Sequence, residues 1–187
     1  NFKKKLRMKI SKIFKIIGLI ILVFILYIVY TLFINPASPR GFSEFINDDL
    51  TMSVDYSRPY KKERLIFGDS TNGALVPYNK YWRLGANMAT TFETNKDISF
   101  ANRLVSKGKY RMYAVPYEKT WRISLNSEPG TFGYSEPDYN KDILSVNLPS
   151  GQMSDTLEQL TIDFIEDSFG VAIRIRWDST RIIIPVK

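Results

Sequence analysis

Residues 171–177 read Val-Ala-Ile-Arg-Ile-Arg-Trp, and their alternation decides the fold class. Val171, Ile173, Ile175 and Trp177 fall on one side of an extended chain and Arg174 and Arg176 on the other, because successive strand side chains point to opposite faces. The same period of two recurs upstream. Leu50, Met52, Val54 and Tyr56 oppose Thr51, Ser53 and Asp55, and Met88, Thr90 and Phe92 form a second face. Trp121, Ile123 and Leu125 oppose Arg122, Ser124 and Asn126; Leu144, Val146 and Leu148 repeat the pattern, as do Leu160, Ile162 and Phe164. Lys109 to Val115, opened by Ser106-Lys107-Gly108, reads as the second arm of a hairpin, and Arg181 to Val186 as a last strand whose Pro185 points to a sheet edge. Ser154 to Gln159 reads as one helical turn capped by Ser154. The expectation is an all-β domain, an antiparallel sandwich or open barrel.

One segment departs from this pattern. The first fifteen residues carry seven basic side chains (Lys3, Lys4, Lys5, Arg7, Lys9, Lys12, Lys15) and no acidic one. Residues 16–34, IIGLIILVFILYIVYTLFI, are uncharged, and a helix of that length crosses a hydrocarbon core of roughly 30 Å. This reads as a basic cytoplasmic stub (1–15), one N-terminal transmembrane helix (16–34), a stiff Pro-containing spacer (35–41) and an exported domain (42–187), oriented by the charge before the span. A cleavable signal is disfavoured, because the apolar run is long and a cut after Ser38 would place Pro39 just beyond it. The span has one glycine, Gly18, and no stripe of small residues, so it reads as a tether.

The +7 net charge is that of the stub: beyond it, 19 basic residues face 19 acidic ones. The domain is therefore neutral, and nucleic acid is not an expected partner. No cysteine and no histidine occurs in the 187 residues. Disulfides, thiolate metal sites and Ser-His or Cys-His nucleophile pairs are thereby removed, and no catalytic residue, metal or cofactor is assigned.

Val54-Asp55-Tyr56-Ser57-Arg58-Pro59, Ile66-Phe67-Gly68, Leu75-Val76-Pro77-Tyr78 and Trp82-Arg83-Leu84-Gly85-Ala86-Asn87-Met88-Ala89-Thr90, preceded by Ser38-Pro39-Arg40, carry a likeness. The sequence from 38 to 187 resembles the bacterial envelope family called domain of unknown function 2911. Later echoes are Gly108-Lys109-Tyr110, Trp121, Asn126, Trp177 and Pro185. Asp69 to Ala74 departs from the pattern as an insertion. The resemblance implies an exported β-rich domain and brings no activity with it.

The candidate ligand-binding set is Tyr56, Arg58, Tyr78, Arg83, Asn87 and Glu93. Two guanidiniums beside an amide and phenols are suited to clasp a carboxylate, phosphate or sugar. The alternative is structural, with an arginine buried against Glu93 or Asp55 and Asn87 serving a turn. Asp138-Tyr139-Asn140-Lys141-Asp142 has the opening spacing of a calcium loop, but Ile143 stands where glycine is required and Pro149 where a bidentate glutamate belongs. Ser106-Lys107-Gly108-Lys109 matches a serine-nucleophile pattern by letter, in a turn rather than the helix that chemistry needs. The scattered acids (Asp48, Asp49, Glu128, Glu136, Asp163, Glu166, Asp167) read as solvated charges. Tyr113, Tyr117, Trp121, Phe132, Tyr134 and Tyr139 either stack on a partner or close the core.

Two functional readings follow. The first is a single-pass, membrane-anchored envelope protein, a non-enzymatic binding or accessory subunit of a membrane complex, with its domain periplasmic. The second is a carbohydrate-binding module or a carboxylate-dependent hydrolase acting on a glycan.

Overall fold

The computed structural model describes residues 2–130, 132–167 and 170–187, without the side chains of residues 2–11, 32, 33 and 167. The basic residues from Lys3 to Lys9 and the carboxylate of Asp167 therefore lie outside the described side chains. Two compact units divide at Ala37/Ser38.

The first unit is helical. α1 (Phe2–Val29) begins within the basic stub rather than at its end, since nothing before Gly18 opposes a helix. A π-helical turn, Tyr30–Ile34, follows, with Asn35 N–H donating to Tyr30 O at 2.9 Å. Pro36 stops the helix there by restricting the residue before it.

The described residues of the second unit, Ser38–Lys187, form twelve strands: β1 (Arg40–Asn47), β2 (Leu50–Ser57), β3 (Phe67–Gly68), β4 (Val76–Pro77), β5 (Thr90–Thr94), β6 (Ile98–Phe100), β7 (Arg103–Val105), β8 (Gly108–Pro116), β9 (Thr120–Asn126), β10 (Asp142–Pro149), β11 (Gly151–Asp167) and β12 (Gly170–Val186). β1 thus takes in Arg40 and Gly41, which the sequence places in the spacer. One sheet runs β1-β2-β5-β8-β9-β10, a second runs β11-β12-β6-β7, and β3 pairs parallel with β4. The two large sheets are antiparallel and share one core, to which Met52, Val54, Phe92, Met112, Ile123 and Leu125 come from the first, and Phe100, Ile162, Ile173, Ile175 and Ile184 from the second. The fold is an all-β sandwich. Its densest point is aromatic: Trp82 and Trp177 stack at 6.0 Å, with Trp121 and Phe67 wedged beside them.

Three local expectations are corrected. Ser154–Gln159 is part of β11, not a helical turn; here the ladder to β12 thins to Leu157↔Asp178 between two register shifts, and Gln159 bridges to Tyr60. β7 and β8 are not arms of one hairpin. β7 belongs to the smaller sheet, β8 pairs with β5 and β9 in the larger, and Ser106-Lys107 carries the chain across. β12 is not an edge strand, since it lies between β11 and β6. At Pro185, however, pairing with β11 has already ended at Gly151↔Arg181, so the strand there is laddered only toward β6 and the ring breaks no hydrogen bond to β11.

Candidate functional site

The six sequence candidates do not converge. Tyr56, 2% exposed, points into the sandwich, where its hydroxyl donates to Ile162 O (3.0 Å) and accepts from Ile162 N–H (2.8 Å). Arg58, just past the end of β2, donates to Leu160 O and Thr161 Oγ1, both at 3.2 Å. Gly41 is packed against both side chains, so closely that an added Cβ would lie 2.6 Å from Arg58 Cδ. These residues fasten β2 and the start of β1 to β11. Arg58 pairs with neither Asp55 nor Glu93, whose ion-pair partners are Arg40 and Lys109.

Arg83 and Asn87 lie in the connection between β4 and β5. The Arg83 guanidinium sits 5.8 Å from the Tyr134 ring centroid, and Asn87 O accepts from Gly133 N–H at 3.1 Å. Asn87 is exposed with φ 58°, a left-handed conformation that asparagine tolerates. Tyr78 is half-buried, its phenol pushed above the ordinary value first by burial and then by Glu118 and Asp69. Glu93 is exposed on β5. Among the described residues, no hydrogen bond, ion pair or ring contact joins Tyr56 or Arg58 to Tyr78, Arg83, Asn87 or Glu93.

The connection from Trp82 to Thr90 is built for shape. Trp82 exchanges backbone hydrogen bonds with Ala114 (2.8 and 2.9 Å), continuing the ladder beside β8 beyond the end of β5. Leu84 is fully buried at φ 54°, and Thr90 Oγ1 donates to its carbonyl at 2.9 Å. A Cβ on Gly85 would lie 2.6 Å from Ser57 O, which only glycine avoids. The stretch that carries the family likeness is thus a loop docked onto β2 and β8.

A polar cluster that sequence reasoning missed lies beside it, on the outer face of the larger sheet. Register aligns Asp55 of β2, Thr91 of β5, Arg111 of β8, Asn126 of β9 and Asp142 of β10 in one row across it. Arg111 is 1% exposed and donates to Tyr81 Oη and Ser135 O, 5.4 Å from the Tyr81 ring centroid. Asp142 accepts from Tyr113 Oη and from Asn126 Nδ2, the latter at 2.8 Å; Asn126 Nδ2 also reaches Asp138 O at 2.8 Å. Residues 127–130 and 132–141 run over this row as a strap, held further by Tyr81 Oη donating to Gly133 O at 3.0 Å and Tyr139 Oη to Glu136 Oε2 at 2.6 Å. Burial pushes the Tyr113 and Tyr139 phenols far above the ordinary range, and the adjacent carboxylates add to it. A phenol so placed is a poor base or nucleophile near neutral pH, and Asp142 has both oxygens occupied. The cluster clamps the strap to the sheet. Its signal was Arg111 and Tyr113 alternating with the core-facing Met112 and Ala114.

The aromatic stretch divides between the two readings it allowed. Tyr113 and Trp121 are buried, while Phe132 and Tyr134 are 60% and 77% exposed. Asp138 caps the short 3-10 turn Tyr139–Lys141 by accepting from Asn140 N–H at 3.0 Å, the role of a turn residue. Beside the strap, a depression of about 280 Å³ is lined by Arg40, Asp55, Met88, Thr91, Lys109 and Pro129, among others. Among the described residues, no group of three or more acidic side chains is placed to hold a metal ion.

A family model described as "Protein of unknown function (DUF2911)" matches residues 38–186. The chain belongs to that family. The match spans the whole sandwich, including the docked loop and both clamping networks. No curated protein and no solved structure matches this DUF2911 chain.

Proposed function

We propose that this chain is a single-pass protein of the cytoplasmic membrane that displays its sandwich on the far side, as a non-enzymatic binding module or an accessory subunit of a membrane complex. The observation that carries the reading is the helix. Its window Lys12–Val29 has a mean hydropathy of 2.6, and none of it is buried within the protein. Apolar side chains exposed all round a helix call for a hydrocarbon surround, and the basic residues before them favour a cytoplasmic N-terminus. A signal sequence shares these features, so the experiment addresses retention as well as orientation. Protease added outside sealed spheroplasts should digest the sandwich and leave an anchored fragment; a domain that survives, or a mature chain starting near Pro39, overturns the reading. Detergent extraction followed by affinity capture tests the subunit role, and recovery of the chain alone speaks against it.

The exposed Phe132, bridged to Met88 of the 280 Å³ depression, supports a second reading, recognition of a glycan or small anion by stacking together with Arg40 and Lys109. A glycan array probed with the full chain in detergent separates the two, and an absence of binding and turnover dismisses the carbohydrate-binding and hydrolase forms together.

A further inference from the structure

The larger sheet ends on two unlike edges. At β1 the edge is tied to the second sheet by a side chain, Ser43 Oγ donating to Ile162 O of β11 at 2.5 Å, without a backbone ladder. At β10 it is open, and β9 is the only ladder partner of β10 among the described residues. Ser150 N–H donates to Lys119 O at 3.0 Å, on the β9 side. Backbone groups alternate in direction along a strand, so those of Leu148, Val146 and Leu144 also point to β9, while those of Ser145 and Asn147 point away from the sheet. Both of these residues are exposed.

Edges of this kind are usually blunted by charge, proline or a bulge. β10 carries a register shift between Asp142 and Leu144 at one end and Pro149 at the other. Between them, Leu144-Ser145-Val146-Asn147-Leu148 holds neither a charge nor a proline.

We propose that this window pairs antiparallel with the same window of a second copy of the chain, about a twofold axis through Val146. In that register Ser145 of one copy exchanges N–H···O bonds with Asn147 of the other, and the two Val146 residues form a closely spaced pair without hydrogen bonds between them. The side chains match themselves. Leu144, Val146 and Leu148 belong to or pack against the core, and Ser145 and Asn147 point outward, so apolar residues meet apolar ones and polar residues meet polar ones. No like charges are opposed. A twofold axis supplies this complementarity by symmetry, whereas a foreign segment would need to reproduce it. The bulge and Pro149 confine the ladder and fix its register.

The protein has no cysteine, so Val146→Cys in the full chain places its sole thiol on the proposed axis. Adjacent non-hydrogen-bonded positions lie about 4.5 Å apart at Cα, within reach of a disulfide. Mild oxidation of the detergent-solubilised chain should give a band at twice the chain mass. Adding Asn147→Pro should abolish that band, because it removes an outward N–H without touching the ladder to β9. Leu104→Cys on β7, 80% exposed, serves as the collision control and should stay monomeric. The proposal is overturned by a monomeric Val146→Cys chain, by a band that survives Asn147→Pro or is matched by Leu104→Cys, or by a cross-link of any other mass. Light scattering on the unsubstituted chain gives an independent reading, and a monomer at about 100 μM also overturns it. Anchoring is read separately, by alkaline extraction of membranes.

Discussion

Replacing Tyr56 by Phe removes one oxygen and two hydrogen bonds, both to Ile162 in the other sheet. Phe fills the same space, so the loss falls chiefly on the Ile162 N–H, because the Ile162 C=O keeps Ser43 Oγ as a donor. Tyr56→Phe is expected to lower stability by about 1–3 kcal/mol in denaturant unfolding, with the native circular dichroism unchanged. Asn87 gives the opposite result for a ligand residue. If its worth lies in φ 58°, Asn87→Gly should be neutral to within about 0.5 kcal/mol and Asn87→Ala should cost about 1 kcal/mol, by the same measurement. The buried phenols set a pH limit. Tyr113 is 2% exposed and its phenol is raised from an ordinary 10.0, so the fold favours the protonated form. That contribution is present below pH 10 and is lost as pH climbs toward the raised value. Stability should fall between about pH 10 and 12, and Tyr113→Phe should flatten the fall; ultraviolet titration of folded and unfolded chain checks the phenols directly.

At the scale of elements, the strap 127–141 depends on Arg111, Tyr113 and Asp142 beneath it. Arg111→Met keeps the length of the stem but removes the donors to Tyr81 and Ser135, and truncating one partner of a buried polar network costs about 2–4 kcal/mol. New cleavage between residues 127 and 141 in limited proteolysis is the expected sign, with the sandwich otherwise resistant. Elements that bury one face were legible from sequence: Leu50–Tyr56 and Val171–Trp177 alternate because one side meets the core. The 154–159 segment was not, because it is largely exposed and buries no alternating face that would mark it as strand. The β7–β8 connection misled for a related reason, since a glycine-containing turn marks a change of direction but not which sheet receives the next strand. The separation of the candidate set was hidden for want of facing information: Tyr56 on β2 and Arg58 just past its end both bond to β11, whereas Arg83 and Asn87 lie in the loop between β4 and β5.

For the molecule as a whole, the proposed anchoring rests on the exposed apolar helix. Val23→Arg sets a charge near the middle of the Lys12–Val29 window, where translocon-based scales put the cost at about 3 kcal/mol. Its expected effect is a rise in the alkali-extractable fraction of the full chain, read by immunoblot of membranes and supernatant. The neutral sandwich should show little salt dependence in any association of its own, while contacts made by the basic N-terminal residues with anionic lipid should weaken with salt.

The Tyr56 clasp joins positions 106 apart in sequence, and Ser43 of β1 donates to the same Ile162 carbonyl. A chain made from its N-terminus onward cannot form this join until Ile162 has followed. Met52, Val54 and Tyr56 meanwhile lack the apolar surface they finally rest on. Such non-local closure slows folding relative to local pairing. It also leaves those apolar side chains open to premature association until the last fifth of the polypeptide has been made.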